Sequence, residues 1–227
     1  MAGDSSYPLD QRYASDRTNF VRAYHLLEQD LVRIFEYVEP ADANLDTYSH
    51  QLYALLLRAC TEFESNARAI LQSNGYSRSG NWTLTDYYKI NSATRLSEYT
   101  LTLPMWDGAA GTVKPFDTWN GGSHSLPWYQ AYNAVKHDRS GNFPSASLQN
   151  VMKAVAAVFA TLFSQFHIFA FDPHRVVNSC TQGGHVYSHD KCIWTIEAAS
   201  LWTPAECYEI DWPKLKGTPS PFDQFSF

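Results

Sequence analysis

The sequence is poor in cysteine and lacks an excess of positive charge. Four cysteines among 227 residues are too few for the disulfide framework that is typical of a secreted chain. The 17 basic and 23 acidic residues give a net charge of −6, so the chain lacks the broad positive field that draws proteins to duplex DNA or anionic membranes. We therefore expect a cytoplasmic protein in which any nucleic-acid contact is local.

Residues 1–15 do not show the pattern of a signal peptide, and the sequence has no long uninterrupted apolar run. Residues 1–15 are polar and include acidic side chains, unlike the cationic and apolar start of a signal peptide. Residues 154–171 carry no formal charge, but polar side chains such as Thr161 and Gln165 interrupt them. This pattern predicts a core helix rather than a membrane span, and no membrane association is expected.

The hydrophobic residues, which make up 44% of the chain, follow a helical period over long stretches. Helices are predicted at about residues 15–38, 45–73, 126–141 and 144–171, and a short connection joins the first two. The fold class is therefore mainly α, a bundle of about four to five helices. Residues 15–172 form this bundle, and residues 173–227 form a small irregular or β-containing C-terminal appendage packed on it.

A polar stripe marks the end of the third predicted long helix. Tyr129, Asn133, Lys136 and His137 are spaced so that they share one helix face. A polar group inside a bundle needs partners, because an unsatisfied buried amide or carboxylate costs about 1–3 kcal/mol or more.

The second long helix offers such partners. Asn66 falls within its apolar stripe, and Glu62 lies at the edge of that stripe. Glu62 and Asn66 are therefore the expected partners of Lys136 and His137.

The order of the helices and the segment from Tyr132 to His137 resemble the HEPN (higher eukaryotes and prokaryotes nucleotide-binding) domains. These are helical bundles that occur in prokaryotic toxin–antitoxin, abortive-infection and CRISPR-associated ribonucleases. Their signature is an arginine, a polar residue, three variable residues and a histidine near the end of a late helix. Asn133 and His137 match it, whereas Tyr132 occupies the arginine position.

This resemblance implies metal-independent RNA cleavage at a site shared across a dimer. The catalytic candidates are His137 for proton transfer, Lys136 or Arg139 for the phosphate, Asn133 for orientation, and Glu62 to fix the cation or imidazole. A histidine suits proton transfer because it titrates near neutral pH. Lysine interacts with phosphate as a point charge, whereas arginine binds it with two parallel hydrogen-bond donors.

Two alternatives stay open for this patch and for the whole chain. The patch residues can instead form a structural network at the helix end, where cations meet the negative end of the helix dipole. The chain is then a catalytically inactive helical module for interaction or regulation. If the patch is catalytic, the chain is instead a protein that binds or cleaves RNA or nucleotides, in prokaryotic defence or a toxin–antitoxin system. An antitoxin or regulatory protein is then the expected partner.

A second cluster lies near the C-terminus, where two thiols and two imidazoles occur within thirteen residues. Cys180, His185, His189 and Cys192 match the ligand types of tetrahedral zinc. Their spacing differs from that of common zinc fingers, so the alternative is a set of unrelated polar loop residues. No other cofactor is expected.

The fourth predicted helix also indicates assembly. It is apolar nearly all round, with Lys153 as its only charge, so it is either the central helix or the contact with a second subunit. We expect a homodimer through this apolar surface.

Overall fold

The computed structural model describes residues 14–166, 176–181, 184–189, 192–197 and 212–227, and the side chains of 176–189 and of Trp212 are not described. The fold is mainly α-helical, as predicted. The described helices are α1 (Arg17–Phe35), α2 (His50–Ser73), α3 (Leu84–Tyr88), α4 (Asn91–Thr94), α5 (Pro127–His137), α6 (Arg139–Asn142), α7 (Leu148–Phe166) and α8 (Trp212–Leu215). The described strands are β1 (Thr100–Thr102), β2 (Thr112–Val113), β3 (Val176–Thr181), β4 (Gly184–His189) and β5 (Thr195–Glu197).

The first two helices pack against each other along the apolar stripes that the sequence predicts. On α1 the buried side chains include Tyr24, Leu27, Leu31 and Ile34. Helix α2 begins at His50, five residues later than expected, because the Ser49 side chain caps its first turn by accepting a hydrogen bond from the Leu52 amide.

Helix α7 is the central helix of the bundle. It packs against α1, α2 and α5, and its side chains are buried from Leu148 to Phe166 with few exceptions. Other helices of the same chain therefore cover the apolar surface of α7 that suggested a dimer contact. A homodimer would need a different surface. Among the described residues, no helix is both long enough and apolar enough to cross a bilayer.

A five-stranded antiparallel sheet lies against the helices in the order β2-β1-β5-β4-β3. Leu101 of β1 pairs with Val113 of β2 and with Ile196 of β5. All three side chains are buried, so this row faces the helical core. Strands from both sides of the predicted domain boundary at residue 172 thus share one sheet.

The C-terminal part also contacts the bundle outside the sheet. The Ile193 amide donates a 2.8 Å hydrogen bond to the buried Glu28 carboxylate of α1. Near the chain end, the Phe225 amide donates to the Asn74 side chain at 2.8 Å. Residues 192–227, where described, are therefore attached to the bundle at both ends of this stretch.

Candidate nucleic-acid interface on α2 and α5

Helix α5 forms because Pro127 occupies its first turn and an apolar face, including Trp128 and Val135, buries in the bundle. Its lysine and histidine lie in the last turn, where cations complement the negative end of the helix dipole. Tyr129, near the start of α5, contacts Glu64 in the second half of α2. Arg139, just after the end of α5, contacts Tyr53 near the start of α2. The two helices are therefore antiparallel.

Lys136 lies in the middle of this contact. Its ammonium donates a 2.9 Å hydrogen bond to the Tyr132 hydroxyl and lies 4.8 Å from the centre of the Tyr132 ring. This hydrogen bond raises the pKa of Lys136, so the side chain is charged at neutral pH. Tyr132 is buried and supplies the hydroxyl that accepts this hydrogen bond.

A second polar network joins α5 to α2 and α3. The Tyr129 hydroxyl donates a 2.7 Å hydrogen bond to Glu64, and burial together with this bond raises the pKa of Tyr129. Glu64 lies 3.9 Å from the Arg68 guanidinium. Arg68 in turn donates to the Tyr87 hydroxyl at 3.0 Å and lies 5.9 Å from the ring of Trp82.

Arg139 stands apart from α5 on the short helix α6. Asp138 follows the last residue of α5 with non-helical backbone angles and caps α6 by accepting a hydrogen bond from the Gly141 amide. The guanidinium of Arg139 lies 5.9 Å from the ring of Tyr53 on α2. Phe143 packs against Tyr53 and also against Tyr48 and His50, a set of rings that are half-buried or exposed.

Asn133 and His137 lie one helical turn apart on the outer face of α5. Asn133 is half-buried and His137 is exposed. Within the described part of the chain, neither side chain makes a hydrogen bond. His137 therefore has no bound partner in that region that would occupy its ring nitrogens.

The predicted partnership of Glu62 and Asn66 with the α5 patch is not found. The Asn66 side chain donates to the Glu62 backbone carbonyl at 2.8 Å and accepts a 3.3 Å bond from Gln165 of α7. Burial raises the pKa of Glu62, and its charged neighbour is Arg58. The expectation was wrong because α5 packs on the Glu64 side of α2, and residues 62 and 64 point about 160° apart, on opposite sides of the helix.

Sequence reasoning thus missed Glu64 and Arg68, which lie at the interface in place of Glu62 and Asn66. A signal was present, because an acidic residue four positions before an arginine forms a neighbouring pair on a helix surface. That pattern alone does not say which face of α2 the third long helix covers.

Of the four zinc candidates, only Cys192 has a described side chain. The backbone places Cys180 on β3 directly opposite His185 on β4, and His189 opposite Val176. Cys192 follows the hairpin and is half-buried. His189 lies four residues after His185 along β4, which separates their Cα atoms by roughly 13 Å. Among the residues with described side chains, no group of three or more histidine, cysteine or acidic residues is arranged to hold a metal ion.

In comparisons with known proteins, no family model, curated protein or solved structure matches the chain.

Proposed function

We propose that the protein binds single-stranded RNA along the contact between α2 and α5. The observation that carries this proposal is a row of three cations, each beside an aromatic ring: Arg139 with Tyr53, Lys136 with Tyr132, and Arg68 with Trp82. We call these six residues the cationic seam.

The length and chemistry of the cationic seam support a strand rather than a single ion. Tyr53 and Arg68 are fifteen residues apart on α2, which corresponds to roughly 22 Å along the helix axis. Cations bind the phosphates of single strands, and accessible rings stack on the bases with little sequence preference. Tyr53 and Trp82 are half-buried, so each end of the seam offers part of a ring surface.

Cleavage is the second part of the proposal. His137 follows Lys136 directly and is exposed, which leaves its imidazole accessible for proton transfer at a 2′-hydroxyl. Lys136 and Arg139 would bind the phosphate in place of the absent family arginine, and Asn133 would orient the strand. A HEPN-like ribonuclease of prokaryotic defence or toxin–antitoxin systems is the class that this chemistry favours.

RNA binding is tested with a fluorescein-labelled oligouridine and fluorescence anisotropy at low salt. We expect the triple variant Arg68→Gln, Lys136→Gln, Arg139→Gln to lose about tenfold or more in affinity. Its salt dependence should also fall, because each lost phosphate contact removes about 0.7 from the slope of log affinity against log salt for single strands.

The matched control changes three arginines on the α1 side of the bundle, Arg22→Gln, Arg33→Gln and Arg58→Gln, which alters the net charge equally. This variant should bind RNA nearly as well as the wild type. Equal loss in both triple variants, or no RNA binding by the wild type, contradicts the proposal.

His137→Ala tests cleavage. We expect the rate of RNA cleavage without metal to fall by a factor of about 10² to 10⁴, while RNA affinity and the melting temperature change little, because His137 is exposed. A marked loss of melting temperature would instead favour the structural role of the patch. Full cleavage activity in the variant would exclude His137 as the proton-transfer residue.

A catalytically inactive interaction or regulatory module is the second candidate function. The observation that favours it is the buried Tyr132 at the family's arginine position, where its hydroxyl already accepts a hydrogen bond from Lys136. Binding of RNA by a wild type that never cleaves it would support this candidate. A homodimer, a protein partner such as an antitoxin, a cytoplasmic location and zinc at the C-terminal cysteines and histidines all stay predictions.

A further inference from the structure

A cavity of about 390 Å³ opens between the edge strand β2 and the first turns of α7. Its volume lies within the range of about 300–1,000 Å³ that is usual for small-molecule sites. None of its lining residues belongs to the cationic seam. The lining includes Leu45, Lys114, Asp117, Met152 and Lys153.

Two lysines, Lys114 and Lys153, line this cavity. Lys153, the only charged residue of α7, is half-buried, and Lys114 is exposed beside β2. Within the described part of the chain, neither ammonium lies in an ion pair. A bound anion would supply the counter-charge that these two ammonium groups lack, through charge-assisted hydrogen bonds.

The remaining lining residues restrict the type of anion. The lining carries one acidic residue, Asp117, and one of its carboxylate oxygens accepts a hydrogen bond from the Thr118 amide. Two lysines against one carboxylate leave an excess of one positive charge. Leu45 and Met152 add apolar surface. The cavity therefore offers cations for an oxyanion and an apolar surface for a carbon skeleton.

We propose that this cavity binds a small organic anion, either a phosphate monoester or a carboxylate. Lys114 and Lys153 hold the oxyanion, and the apolar part of the ligand lies against Leu45 and Met152. This site is independent of the proposed RNA binding, because the two sites share no residue.

Isothermal titration calorimetry tests the proposal with three probes: phenyl phosphate, hexanoate and inorganic phosphate. We expect saturable binding of phenyl phosphate or hexanoate, and the tighter of the two identifies the oxyanion. Lys153→Met and Lys114→Gln should each weaken that binding by about tenfold or more. Lys89→Gln removes a lysine outside the cavity and should leave it unchanged.

The variants also separate ligand binding from folding. Methionine keeps the apolar stem of Lys153 without its charge, so Lys153→Met should melt at or above the wild-type temperature, and Lys114→Gln changes an exposed side chain. The proposal is overturned if neither organic probe binds at about 10 mM. It is also overturned if inorganic phosphate binds as tightly as the organic probes, or if Lys89→Gln weakens binding equally.

Discussion

At the scale of single residues, Asp86 stands out among the described carboxylates because it is buried, accepts several hydrogen bonds and has a strongly lowered pKa. It is 2% exposed and accepts hydrogen bonds from the Tyr76 hydroxyl at 2.9 Å, from the Thr83 amide at 2.8 Å, and from Arg78. Burial by itself raises the pKa of Asp86, but the bonds from Arg78 and Thr83 outweigh burial and hold the pKa well below its ordinary range.

Asp86→Asn should therefore destabilise the protein in a pH-dependent way. Losing charge-assisted hydrogen bonds at a buried site costs about 2–3 kcal/mol in free energy of unfolding at neutral pH. A carboxylate with a lowered folded-state pKa contributes stability above its unfolded pKa of about 3.9, and this contribution is lost as the pH falls. Urea unfolding at about pH 7 and about pH 3 should show a smaller difference between wild type and variant in acid, and the difference closes only as the pH falls through the lowered folded-state pKa of Asp86.

Asp46→Asn is the matched control, because Asp46 is exposed. It should change the unfolding free energy by less than about 0.5 kcal/mol at either pH. A wild-type advantage over Asp86→Asn that is as large at about pH 3 as at neutral pH would show that the charge on Asp86 is not what stabilises α3.

At the scale of elements, the loop between β1 and β2 is tied to the loop between α1 and α2. The Asp42 carboxylate accepts hydrogen bonds from the Trp106 indole at 2.8 Å and from the amides of Ala109 and Ala110 at 2.9 and 3.0 Å. These bonds lower the pKa of Asp42, the bond from Trp106 most of all. Gly108 makes this close approach feasible, since its φ is +121°.

Gly108→Ala should loosen this connection and destabilise the fold. A Cβ at position 108 would lie 2.3 Å from the Asp42 carboxyl carbon, and the backbone angle is one that side chains other than glycine rarely adopt. We expect a loss of about 1–3 kcal/mol, measured as a lower midpoint of thermal unfolding.

Gly121→Ala serves as the comparison, since a Cβ there would meet nothing within 4 Å and no positive φ is found at Gly121. Its effect should stay within about 1 kcal/mol. If both alanine variants unfold at the same temperature, the link between Asp42 and the residues around Gly108 contributes little to stability.

At the scale of the whole molecule, α7 and the sheet organise the chain. A helix that is apolar nearly all round is stable in water only when neighbours cover it, and here α1, α2 and α5 do so within one chain. The sheet combines strands from the middle of the chain with strands near its end. Folding therefore requires contacts between distant parts of the sequence.

The local pattern of the sequence determined the helical class and the approximate helix positions. These features depend on periodicity and on residues near in sequence, such as Pro127 at the start of α5.

Only the tertiary structure decided which residues meet across elements. The side of α2 that faces α5 selects Glu64 and Arg68 rather than Glu62 and Asn66, because that choice depends on the packing angle of two helices distant in sequence. The cationic seam likewise joins residues from four separate segments. Periodicity identifies a helix and its apolar face, but the free energy of packing in three dimensions selects the partner of that face.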